Sequence, residues 1–120
     1  MEKGMYVRCP IDELENPRSF VTGQIIEADD FSEQVKVKFH DPFHFRSLYD
    51  YIPENAAFKY ANVQRCTIYR DSLVLYKGKR YKIISLKKED DWFYYVLQGE
   101  YSGEICRARE DSITVSFIMG

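Results

Sequence analysis

The chain has little of what most enzymes and many metal proteins need. Its 120 residues hold two histidines, three cysteines and one tryptophan. No G-x-x-x-x-G-K-[ST] occurs, so no loop of that type cradles a nucleotide phosphate. There is no G-x-G-x-x-G after a strand and no G-x-S-x-G elbow. The six glycines are dispersed and read as turns. His40 and His44 stand four apart, which on a helix would put both imidazoles on one face. Pro42 between them breaks a regular helix, and no third histidine follows, so no metal site is expected. Cys9, Cys66 and Cys106 form no C-x-x-C and fit no zinc spacing. An odd count in strand-like runs suits reduced, buried thiols and a cytoplasmic protein. No apolar run reaches the roughly 20 residues that span a bilayer, and no apolar segment follows Met1-Glu2-Lys3-Gly4 as a signal peptide would require. Neither a membrane role nor a cofactor is expected.

Charge of one sign is also lacking overall: the net charge is −2, which argues against nucleic-acid binding by bulk charge. Locally the picture differs. Residues 1–33 carry three basic and eight acidic side chains, whereas residues 70–88 carry seven basic ones and only Asp71 as an acid. Such asymmetry marks either a functional patch or solvated strands and turns that collect lysine.

Aromatic and β-branched residues are what the chain has in quantity. Ten tyrosines and eight phenylalanines in a chain that is 45% hydrophobic make a folding, strand-rich composition. Val35, Val37 and Phe39 alternate with Lys36 and Lys38, the pattern of a half-buried antiparallel strand. Ile25-Ile26 followed by a polar turn and Val35–Phe39 repeats, 58 residues later, as Ile83-Ile84, a polar turn and Phe93–Leu97. Each copy reads as strand, turn, strand. The repeat predicts a mainly β protein of two small modules, residues 1–69 and 70–120. The first would hold an insertion at 41–61, unmatched in the second module. In it, Phe45, Leu48, Tyr49 and Ile52 have the spacing of a short helix ended by Pro53. Further strands are expected at Tyr6–Cys9, Tyr60–Ile68, Leu73–Tyr76, Glu104–Arg109 and Ile113–Phe117. Closure into small barrels would remove the open edges that invite aggregation.

The sharpest candidate for a contact surface is Trp92-Phe93-Tyr94-Tyr95. Alternation sends Phe93 and Tyr95 inward and leaves Trp92 and Tyr94 outward. With Lys77, Lys79, Arg80 and Lys82, these two aromatics are the candidate partner- or nucleic-acid-binding residues, with Lys87 and Lys88 nearby. They could stack bases, pack against the other module or meet a protein. Tyr76 and Tyr81, together with Trp92 and Tyr94, would have to converge to make an aromatic cage for a methylated lysine. The paired carboxylates Asp29-Asp30 and Asp90-Asp91 fall in the two hairpin turns and read as solvated turn residues rather than acid–base machinery.

Gly23-Gln24-Ile25-Ile26-Glu27-Ala28, Val35-Lys36-Val37-Lys38-Phe39-His40-Asp41-Pro42, Val63-Gln64-Arg65-Cys66 and Gly78-Lys79-Arg80-Tyr81-Lys82-Ile83-Ile84 lie in the order seen in one known arrangement. The whole chain resembles the N-terminal region of bacterial Swi/Snf-type helicase-like ATPases of the RNA-polymerase-recycling kind. That resemblance implies two tandem Tudor-like, or Src-homology-3-like, small β-barrels without catalysis of their own. It implies the N-terminal fragment of a longer ATPase, contacting RNA polymerase or its own motor, with nucleic acid as a secondary ligand. The competing expectation is a stand-alone structural or oligomerising β protein.

Overall fold

A computed structural model describes residues 1–10, 20–39 and 54–117. The protein is mainly β. The chain divides into two compact units, Met1–Cys66 and Thr67–Gly120. On either side of the division the backbone is tied to a different unit. The Cys66 amide donates to the Tyr6 carbonyl at 3.1 Å, and the Ile68 amide donates to the Tyr95 hydroxyl at 2.8 Å.

In the first unit the strands are β1 (Tyr6–Pro10), β2 (Phe20–Asp29), β3 (Gln34–Phe39), β4 (Asn55–Lys59) and β5 (Gln64–Arg65). A 3-10 turn at Tyr60–Asn62 joins the last two. In the second they are β6 (Leu73–Tyr76), β7 (Lys79–Glu89), β8 (Trp92–Gly99), β9 (Ile105–Arg109) and β10 (Thr114–Phe117), with a 3-10 turn at Glu110–Ser112. The sheet orders are β4-β3-β2-β1-β5 and β9-β8-β7-β6-β10, with every pairing antiparallel. The two orders are the same: a four-strand meander, then a 3-10 turn that returns a fifth strand to the first.

The duplication extends to backbone detail. The residues flanking the two 3-10 turns have matching dihedrals: Lys59 and Arg109 at φ −72° and −73°, Val63 and Ile113 both at −116°. Gly4 and Ile25 exchange the same pair of amide bonds, through Met5, as Asp71 and Ile83 do through Ser72. Gly4 and Asp71 both sit at positive φ, 97° and 72°. Both hairpins carry a bulge at the same point, between Ile25 and Glu27 and between Ile83 and Ser85. A bulge bends its strand and increases the local twist.

Four expectations need correction. The uniform offset of 58 holds only for the first arm of the hairpin. Ile25 faces Val37 and Ile83 faces Leu97, so the second arms are 60 apart and Val35 corresponds to Tyr95, not Phe93. The second hairpin is two residues longer and turns through Asp90-Asp91 alone. The apolar alternation has period 2, so a two-residue shift preserves every inward position and the sequence pattern cannot reveal it.

The stretch 41–61 is also not wholly unmatched. Asn55–Lys59 is the regular strand β4, 50 residues before its equivalent β9. The proposed helix over 44–52 lies outside the described residues, and those from 54 to 61 contain no α-helix. The strand expected over Tyr60–Ile68 is instead the 3-10 turn and the two-residue β5. Finally, the sheets are open rather than closed barrels. Among the described residues each sheet ends on unpaired edges, β4 and β5 in one and β9 and β10 in the other.

Each unit has its own core. Val7, Val21, Ile25, Val35, Val37 and Phe39 are buried in the first, and Val74, Ile83, Tyr95, Leu97, Ala108 and Ile113 in the second. Cys9 joins the first core, where burial, with Cys66 adding to it, pushes its thiol up to about 12 and makes it inert. Gly23 is not the bulge. It lies opposite Phe39, and a Cβ there would collide with Val37 Cγ1 and stand 2.8 Å from the Lys38 carbonyl oxygen.

Candidate contact surface

The outward face of β7, β8 and β9 is where aromatic and basic residues gather. Along β8 the buried Tyr95 and Leu97 alternate with half-buried Trp92, Tyr94, Val96 and Gln98. Across the ladder Tyr94 faces Lys87 on β7 and Arg109 on β9, while Val96 faces Arg107. Diagonal neighbours in an antiparallel sheet lie within reach of long side chains. Arg107 therefore extends over the Tyr94 ring, with Cζ 4.3 Å from its centroid, and Arg109 over Trp92 at 4.1 Å. These are cation–π distances.

Each guanidinium is also bound to a carboxylate. Arg109 Nε and Nη2 donate to the two carboxylate oxygens of Asp111 at 2.8 and 2.5 Å. Arg107 Nη2 lies 2.5 Å from Glu89 Oε2, and Lys87 Nζ lies 3.7 Å from Glu89 Oε1. The Arg109 hydrogen bond holds the Asp111 carboxyl below its usual value, and the same bond pushes Arg109 further up. Lys88 sits over Phe93 at 6.0 Å. Beneath this face Glu110 is fully buried and accepts the Phe93 amide at 3.2 Å, which fixes the end of β8 against the 3-10 turn.

The predicted residues do not come together as one patch. Trp92 and Tyr94 stand at the hairpin end of the sheet. Lys77, Lys79, Arg80 and Lys82 stand at the other, in and beside the β6–β7 turn. Lys82 and Glu89, which pairs with Trp92, are seven residues apart on β7, roughly 23 Å at ~3.3 Å per residue. Within the basic group, Lys77 lies 5.2 Å from the Tyr76 ring, Arg80 Nη1 is 3.8 Å from Glu100 and Lys82 is 3.9 Å from Asp71. Lys82 also borders an open depression under the Gly99–Gly103 loop, next to the exposed Tyr101. The four aromatics proposed for a cage do not converge: Tyr76 and Tyr81 meet edge to face at 5.7 Å, away from Trp92 and Tyr94.

Sequence reasoning missed Arg107, Arg109, Glu89 and Asp111. The alternation Ile105-Cys106-Arg107-Ala108-Arg109 shows two arginines on one strand face, but only the ladder places them on Trp92 and Tyr94. His40 and His44 lie outside the described residues. Among the described residues no group of three or more His, Cys, Asp or Glu side chains could hold a metal ion, and no helix is long and apolar enough to cross a membrane.

No family model matches the chain, and no curated protein matches it.

Proposed function

We propose that the chain is a non-catalytic interaction module: two tandem Tudor-like units, open-sheeted, that serve as an accessory N-terminal part of a Swi/Snf-type helicase-like ATPase. The partner is a protein, either RNA polymerase or the parent motor, with nucleic acid secondary. The observation that carries this reading is the repeated strand order with its 3-10 return, which is the frame expected of tandem small β modules. The arginine–aromatic face of the second unit supports a protein contact, because aromatic residues and arginine are enriched where proteins meet.

The test is direct binding of the purified chain to core RNA polymerase and to the motor domain of such an ATPase. Micromolar binding to one of them is expected, weakened at least tenfold by Trp92→Ala with Tyr94→Ala. Absence of binding to both at tens of micromolar sinks the reading. The second reading, a self-associating β protein, draws on the edge strand β9, which carries the exposed Ile105. A concentration-dependent mass in light scattering that Ile105→Lys abolishes would favour it.

A further inference from the structure

The hairpin end of the second unit holds four cations, Lys87, Lys88, Arg107 and Arg109. It holds as many exposed or half-buried acids, Glu89, Asp90, Asp91 and Asp111. The charges of these solvent-reached groups therefore cancel, and the buried Glu110 beneath them adds no positive charge. Both arginines, moreover, have one flat face on an aromatic ring; Arg109 also turns a two-donor edge to Asp111, and Arg107 sets its Nη2 against Glu89. Phosphate recognition by arginine uses that edge and that charge. A polyanion arriving here would meet no net attraction and would compete with two carboxylates already in place. The aromatic rings, which would otherwise offer stacking platforms for bases, are covered by the guanidinium groups.

We infer that Glu89 and Asp111 set the specificity of this face by masking Arg107 and Arg109 from polyanions. Single-stranded nucleic acid, secondary in the proposed function, is refused at this face, and the surface is left to a protein partner. The inference rests on the proposed reading of this face as the contact surface, and narrows it. Specificity achieved by building in a repulsive or competing element is a general device.

The experiment measures binding of a fluorescent 20-nucleotide oligothymidylate across a salt series. The full chain is compared with Glu89→Gln/Asp111→Asn, with that pair plus Arg107→Gln/Arg109→Gln, and with Glu2→Gln/Glu27→Gln. The last makes the same change in net charge in the first unit. Each variant is first checked for a wild-type circular dichroism spectrum and a cooperative melt. The wild type is expected to bind weakly. The unmasked variant should bind at least tenfold tighter at 50 mM salt. Its log–log salt slope should steepen by about 1.4, because each phosphate contact to a single strand contributes about 0.7. Removing the two arginines should return it to the wild-type value, and the first-unit control should gain little. If the double variant does not fold, Glu89→Gln alone should show about half the change in slope.

Wild-type binding as tight as that of the unmasked variant overturns the inference. So does a gain matched by the first-unit control, or one that survives loss of the arginines. These outcomes are separate from those of the polymerase and motor assays. Tight oligonucleotide binding by the wild type leaves a contact module standing with its mask disproved, whereas an intact mask with no protein partner removes the module reading.

Discussion

The two units place the same bulky contact on opposite strands. In the first, Gly23 on β2 faces Phe39 on β3; in the second, Tyr81 on β7 faces Gly99 on β8. Both aromatics are buried and each pairs across the ladder with a glycine; a Cβ at Gly23 would stand 3.2 Å from the Phe39 ring, whereas at Gly99 it would meet the Ser102 hydroxyl first. The two pairs occupy equivalent register positions, with the ring supplied by β3 in one unit and by β7 in the other. Volume is what the core conserves, not residue identity at a position. The outer faces follow no such rule. Gln34, Lys36 and Ala57 in the first unit correspond by register to Tyr94, Val96 and Arg107 in the second. An inward residue answers to packing density, and an outward one answers only to what it must meet.

The hairpin supports differ in kind as well. In the first unit the Tyr60 amide donates to the Glu33 carbonyl, and its hydroxyl donates to Asp30 at 2.7 Å. At the equivalent position the second unit has Glu110, whose carboxylate accepts from β8 instead. The longer second hairpin is tied by this buried acceptor, and its tip lacks the four-residue loop that Asp29 organises by accepting the Phe31 and Ser32 amides.

The swapped glycine–aromatic pair offers the strongest way to break the comparison. Gly23→Ala should destabilise the first unit toward the upper end of about 1–3 kcal/mol, because its Cβ meets backbone as well as Val37. Gly99→Ala should cost less, since its nearest obstacle is the rotatable Ser102 hydroxyl. Thermal melts of the two variants, with hydrogen exchange to locate the loss, check this. Equal costs would contradict the difference between a backbone obstacle at Gly23 and a rotatable hydroxyl at Gly99.

Tyr95 tests a feature unique to the second unit. Tyr95→Phe keeps the ring but removes the acceptor of the buried Ile68 amide, and should cost about 1–2 kcal/mol in denaturant unfolding. Its counterpart Val35 carries no such bond, so no substitution there tests the same bond in the first unit. A neutral Tyr95→Phe would show that the Ile68 amide finds another acceptor.

The smallest effect expected is on pH dependence, and it separates the two tips. Asp29 is lowered mainly by the Ser32 hydroxyl and amide, and Asp111 mainly by Arg109. A carboxyl whose folded pKa is lowered stabilises the fold above its ordinary value of 3.8, and that contribution is lost as pH falls through the lowered folded value. Carboxyl carbon shifts followed by NMR from pH 6 downward should show both titrating below ordinary aspartates. Ser32→Ala should raise Asp29 alone, and only part of the way because the two backbone amides still donate, and Arg109→Gln should raise Asp111 alone. Restoration of both by one change would contradict the local origin of each shift.

Much of the fold was legible because its signal is local. Val35, Val37 and Phe39 alternate strictly and are buried as read, and eight of the ten strands among the described residues lie where apolar alternation or β-branched runs put them. Asn55-Ala56-Ala57-Phe58-Lys59 was missed because two alanines and an edge position give a weak pattern, and β5 because two residues have no periodicity at all. The candidate surface was half legible. Trp92 and Tyr94 were read from their own strand, whereas Arg107 and Arg109 belong to the site only through the β8–β9 register.

By itself the sequence determined a mainly β chain, its duplication, and the inward residues of each hairpin, because side-chain alternation is a property of each strand alone. Tertiary structure decided the register between strands, the two-residue shift of the second hairpin, the open sheet edges and the stacking of Arg107 and Arg109 on the aromatics. Those depend on which strands become neighbours, and pairing is settled by packing of residues far apart in the chain, not by any strand's own pattern.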